Sequence, residues 1–122
     1  MTRGSAGGAV QPVVVKGDPD ALGRALENLI ENAFVHGPAG GTVTVSLTRQ
    51  DGRALLSVSD EGAGPPPDHH DQVFERFWRG PGAGGTPGSG LGLSIVAAIA
   101  IRHRGRVSVE DSTFTLELPA AA

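Results

Sequence analysis

Two hairpins limit what this chain can fold into. Thr42 to Arg49 alternates Val43, Val45 and Leu47 with polar residues, Asp51-Gly52 supplies a tight turn, and Arg53 to Asp60 resumes with Leu55 or Leu56 and Val58. Arg106 to Glu110 and Thr113 to Leu118 repeat the pattern around Asp111-Ser112, with Phe114, Leu116 and Leu118 on one face. A period of two buries one side of each strand, and two-residue loops of this kind join antiparallel neighbours. The chain therefore has to build an antiparallel or mixed sheet with one apolar face, and that face needs a cover.

Two other stretches have the pattern of a cover. From Asp20, Leu22, Ala25, Leu26, Leu29, Ile30 and Ala33 recur at three and four until Gly37-Pro38 stops them. Leu91, Ile95, Ala98 and Ile99 do the same over Leu91 to Arg104, with Gly105 placed to end the run. Two amphipathic helices cover one side of a sheet, so the expected class is α+β, a two-layer α/β sandwich with a mixed, mostly antiparallel sheet. Val13-Val14-Val15, between Pro12 and Gly17-Asp18-Pro19, predicts one more short strand. Residues 1–11 read as a flexible leader, small and polar from Met1 to Ala9, without the basic start and apolar centre of a signal peptide. Residues 12–122 read as one domain.

Composition removes several function classes. With no cysteine there are no disulfides or thiolate metal sites. No apolar run approaches the ~20 residues of a membrane helix. A net charge of -3 offers no broad footprint for nucleic acid or anionic lipid, so any anion must be bound locally. Residues 65–89, from Pro65-Pro66-Pro67 through a glycine-rich stretch, predict a mobile lid, because glycine loses the most entropy on ordering.

Three segments carry possible chemistry. Asn28 and Asn32, four apart, share a helix face at the edge of the apolar stripe; their amides can complete the shell of a hard cation such as Mg2+ or simply bond to nearby backbone. Asp60 closes a strand before Gly62 and Gly64, which lets the backbone turn sharply beside a flat ligand; a carboxylate there can accept from an exocyclic amine, or be an ordinary acidic turn. Gly88-Ser89-Gly90-Leu91-Gly92 runs into the second helix, where free N–H groups and the helix dipole suit phosphate, unless these are only linker glycines. No Gly-Lys-Ser/Thr follows, so this is not a P-loop. Phe74-Glu75-Arg76-Phe77-Trp78-Arg79 sets aromatics beside Arg76 and Arg79, as a lid anchor with phosphate-reaching arginines or as a protein-docking patch. His36, His69, His70 and His103 make no metal-ligand pattern, and no nucleophile elbow appears.

In order, Asn28…Asn32, Asp60-x-Gly62-x-Gly64, Phe74 to Arg79 and Gly88-x-Gly90-Leu91-Gly92-Leu93 resemble the N, G1, F and G2 boxes of bacterial sensor histidine kinases over roughly residues 12 to 118. The resemblance implies a Bergerat-fold catalytic domain using ATP and Mg2+. It implies that Asn32 ligates Mg2+ with Asn28 on the phosphate side, and that Asp60 accepts from adenine in a pocket shaped by Gly62 and Gly64. Gly88, Gly90, Leu91 and Gly92 would line the phosphates, with Thr113 near adenine. It implies as partners the kinase's own dimerisation and phosphoacceptor domain and, through the full kinase, a response regulator, in a cytoplasmic domain of a membrane-anchored sensor. Val35 stands where many members have lysine, and no phosphoacceptor histidine motif occurs, so the chain would be a catalytic half. Asn28 also stands where hydrolytic relatives of the fold carry a glutamate base, which favours phosphotransfer over hydrolysis. The alternative is a scaffold that binds ATP without transferring it.

Overall fold

The computed structural model describes residues 6–7, 10, 12–75 and 92–121. The two hairpins form as β2 (Val43–Gln50) with β3 (Arg53–Ser59) and β4 (Arg106–Glu110) with β5 (Thr113–Pro119). Asp51 and Gly52 take φ of 52° and 75°, the paired positive values that let a two-residue loop follow the strand twist. β3 then pairs with β5 and a two-residue strand β1 (Ala6–Gly7) joins β2, giving the order β1-β2-β3-β5-β4, antiparallel except at the β1 edge.

Register separates the two faces cleanly. Val45, Val58, Phe114 and Val109 lie in one cross-strand row, and Leu47, Leu56, Leu116 and Val107 in another, so the apolar residues of four strands stack on one side. The intervening row is Ser46, Ser57, Thr115 and Ser108, with Ser57 and Thr115 hydroxyls 3.1 Å apart. This face is polar and is also held by Glu117, which lies 3.3 Å from both Arg53 and Arg106.

Helices α1 (Pro19–His36) and α2 (Gly92–Arg102) cover the apolar side. Asp18 caps α1, its carboxylate accepting the N–H groups of Asp20 and Ala21, and Pro19 begins the helix where its missing N–H costs nothing. Ala25, Leu29 and Ala33 form the buried stripe of α1 and meet Val96, Ile99 and Ala100 of α2 in the core. The two-layer sandwich expected from the patterning is the observed fold.

Two details differ from the sequence reading. Among the described residues Val13 to Val15 form no ladder; Val13 and Val15 are half-buried, Val14 is exposed, and the Ala121 N–H donates to the Val14 carbonyl. The strand at this edge is instead β1 (Ala6–Gly7), parallel to Val43–Thr44, with a further bridge from Val10 to Leu47. Part of the expected leader therefore extends the sheet. The reason is edge availability: β2 has a free side, and any extended segment reaching it can pair, whatever its side chains.

The end of α2 is also more specific than a glycine stop. Gly105 N–H reaches the Ala100 carbonyl and Arg104 N–H the Ile101 carbonyl, a Schellman closure whose left-handed residue is Arg104, at φ 61°. Gly105 is required for another reason: a Cβ there would run into the Glu117 backbone carbonyl of β5.

Candidate nucleotide site

A cavity of about 310 Å3 opens where the C-terminal end of α1, the loop after β3 and the start of α2 converge. Asn32, His36 and Asp60 supply its polar lining; Val73, Leu93 and Phe114 supply apolar walls. Its size is at the small end of the ~300–1,000 Å3 range of ligand pockets, and its few polar groups on an apolar surround suit a flat ligand.

Asp60 is held on three sides. Its Oδ1 accepts the Gly62 N–H at 2.6 Å, its backbone carbonyl accepts the Ser112 hydroxyl at 2.8 Å, and Gly37 lies against its Cβ. Among the described residues Oδ2 takes no hydrogen bond, so the carboxylate keeps one oxygen for a ligand donor. The glycines are steric necessities: a Cβ on Gly62 would press on the Asp60 carboxylate and the His36 carbonyl, and one on Gly64, at φ 75°, would overlap Asp111 of the β4–β5 turn.

The two asparagines part company. Asn32 lines the cavity, whereas Asn28 turns to α2 and donates from Nδ2 to the Gly92 carbonyl at 3.3 Å. Gly92 opens α2, and among the described residues no atom lies within 4 Å of where its Cβ would be. Thr113 is a correction. In β5 it pairs with Ser59 and Glu110 on the polar outer face, one residue out of phase with buried Phe114, and it does not line the cavity. Ser112 is the hydroxyl that touches the site, and strand parity, with Phe114, Leu116 and Leu118 inward, already carried that signal.

The expected lid is described only in its first part. There Pro67–His69 forms a turn of 3-10 helix, Val73 is buried, and the Phe74 ring meets Phe114 edge-on at 6.0 Å, so this stretch is packed on the body and walls the cavity. Arg76, Arg79, Gly88, Gly90 and Leu91 lie outside the described residues. Among the described residues no cluster of three or more His, Asp or Glu side chains is built to hold a metal, and no helix is long and apolar enough to cross a membrane.

Residues 17–122 match the protein family described as histidine kinase-, DNA gyrase B- and HSP90-like ATPases. The chain belongs to this ATPase family. The ATPase domain is 49% identical over 105 residues to the signal transduction histidine-protein kinase/phosphatase MprB of Mycolicibacterium vanbaalenii, matching 85% of this chain and 22% of that protein. It is 43% identical over 113 residues to the sensor-like histidine kinase SenX3 of Mycobacterium bovis, matching 87% of this chain and 28% of that protein. The chain thus spans about a quarter of the length of these relatives. Among solved structures, a mycobacterial sensor histidine kinase MprB superimposes with a TM-score of 0.86 at 37% identity over 95% of this chain and 81% of that one. Full-length ShkA in complex with AMPPNP does so with 0.81 at 30% identity over 97% of this chain and 26% of that one. The ATPase domain is accordingly of the histidine kinase type, and its fold is the Bergerat sandwich.

Proposed function

We propose that the domain binds Mg-ATP in this cavity and donates the γ-phosphoryl group to a histidine on a separate dimerisation and phosphoacceptor domain, from which it passes to an aspartate of a response regulator. The observation that carries the reading is Asp60. A carboxylate with one oxygen committed to Gly62 N–H and the other open to an apolar cavity accepts from the amino group of adenine. It repels guanine, which presents a carbonyl oxygen at that position. The likeness to a kinase solved with AMPPNP supports the same ligand.

Asn32, lining the cavity with no side-chain hydrogen bond among the described residues, has the neutral oxygen that Mg2+ accepts when substrate phosphates and water supply its other ligands. A single neutral amide oxygen fits an ion that arrives with its nucleotide. Bound there, Mg2+ would neutralise charge on the triphosphate. The protein's share of the work is positioning: Asp60 holds the base, Phe114 and Val73 exclude water from it, and the start of α2 directs N–H groups towards the phosphates. No general base is needed from this domain, because the acceptor imidazole is itself the nucleophile, and Asn28 has no basic group to offer water.

The test is to mix the domain with γ-labelled ATP and a phosphoacceptor domain from a cognate sensor kinase. Acid-labile label on the acceptor histidine is the expected result. Rapid release of inorganic phosphate by the domain alone, lost on changing Asn28, would show a hydrolase instead.

A further inference from the structure

A second cleft, of about 620 Å3, lies at the opposite end of α2 from the nucleotide cavity. Its floor is His103. The Ile99 carbonyl can only accept, so His103 Nδ1 donates to it, at 2.8 Å; the Asp18 N–H can only donate, so Nε2 accepts it, at 3.1 Å. The ring is therefore held in one neutral tautomer between the two helices, and Gly17 lies so close that a Cβ would strike it. One wall is Ala120-Ala121, tied back by the Ala121 N–H to Val14 and by the Arg49 guanidinium donating to the Ala121 carbonyl at 3.2 Å.

The rim is cationic. Among the described residues Lys16, Arg102 and Arg104 line it, no acidic side chain does, and none of the three makes an ion pair. The nearby Asp18 is engaged in capping α1. Arg104 sits at φ 61°, a left-handed conformation that glycine adopts freely and arginine does not. What arginine adds at this position is a guanidinium on the rim.

We propose that this cleft docks an acidic segment of a partner polypeptide. Three long, exposed cations around an open cleft match carboxylates spaced along another chain, whereas a small anion calls for enclosed, convergent donors. Against a net charge of -3, three cations gathered at one cleft make a local positive field that draws an acidic peptide. The 11 residues of α2 separate the two sites by roughly 15 Å at about 1.5 Å per residue, so nucleotide and acidic segment can be held together.

The experiment titrates a short peptide of alternating glutamate and alanine into isotope-labelled domain and follows the amide signals. Shifts are expected at residues 14–18, 101–105 and 120–121, with binding at least about fivefold weaker at ~0.5 M salt. Combined K16Q, R102Q and R104Q should weaken it about tenfold or more while ATP affinity stays within about twofold. Arg104→Gly, which keeps the helix closure and removes one charge, should weaken it measurably without disturbing other signals. Unchanged peptide binding in the triple variant would overturn the proposal. So would shifts centred on residues 60–64, or inorganic phosphate saturating the same amides at the peptide's own concentration.

Discussion

The Ser112 hydroxyl donates to the backbone carbonyl of Asp60 across 2.8 Å, tying the β4–β5 turn to the strand end that carries the site's carboxylate. The contact joins residues 52 positions apart in the chain. Removing it with Ser112→Ala leaves a part-buried carbonyl unsatisfied, a loss of about 1–1.5 kcal/mol. ATP affinity by calorimetry should fall about 5- to 10-fold, Ser112→Thr should retain it, and Thr113→Ala should leave it within about twofold. Equal losses at 112 and 113 would contradict the assignment of faces.

Asp60 itself should decide the base. In Asp60→Asn one oxygen can still accept the Gly62 N–H, so the loop should keep its shape, but the position facing the cavity becomes a donor. A charge-assisted bond of about 1.5–3 kcal/mol is lost, which corresponds to roughly 10- to 100-fold in ATP affinity. Competition binding with ATP and GTP should show the preference for ATP shrinking. A uniform loss for both nucleotides would place Asp60 outside the base contact.

Asn28 links α1 to the first residue of α2, so its substitution should act through helix placement. Asn28→Asp sets a carboxylate against the Gly92 carbonyl. It should shift the amide signals of residues 92–95 in the ligand-free domain and weaken ATP binding by about tenfold, the scale of one part-buried polar contact turned repulsive. A Mg2+ titration at saturating nucleotide should keep its midpoint within about twofold; a large change would make Asn28 a metal ligand.

Arg104 and Gly105 should respond in opposite senses. Arg104→Gly relieves a left-handed residue worth about 1–2 kcal/mol but gives the unfolded chain more freedom, for a net gain of about 0.5–1 kcal/mol in denaturant unfolding. Gly105→Ala forces a methyl into the Glu117 carbonyl and should cost about 2 kcal/mol or more. If Gly105→Ala proved harmless, the helix end would not be packed on β5 as described.

Local pattern alone determined both helices, the four hairpin strands and the face each presents, because a helix or strand shows its buried side through the period of its own apolar residues. Local pattern also singled out Asp60, Gly62, Gly64 and Asn32, each beside an ordinary structural alternative, and only the order of the motifs along the chain resembled a nucleotide site. Only the tertiary structure decided that Ser112 rather than Thr113 meets Asp60, that Asn28 reaches Gly92, and that β1 rather than Val13 to Val15 borders β2. These are contacts between residues 37 to 64 positions apart. Their partners are chosen by how the layers pack and which sheet edge is free, and no local periodicity records either. The same holds for the cationic cleft, whose residues come from three separate parts of the chain and share a surface only once His103 joins the two helices.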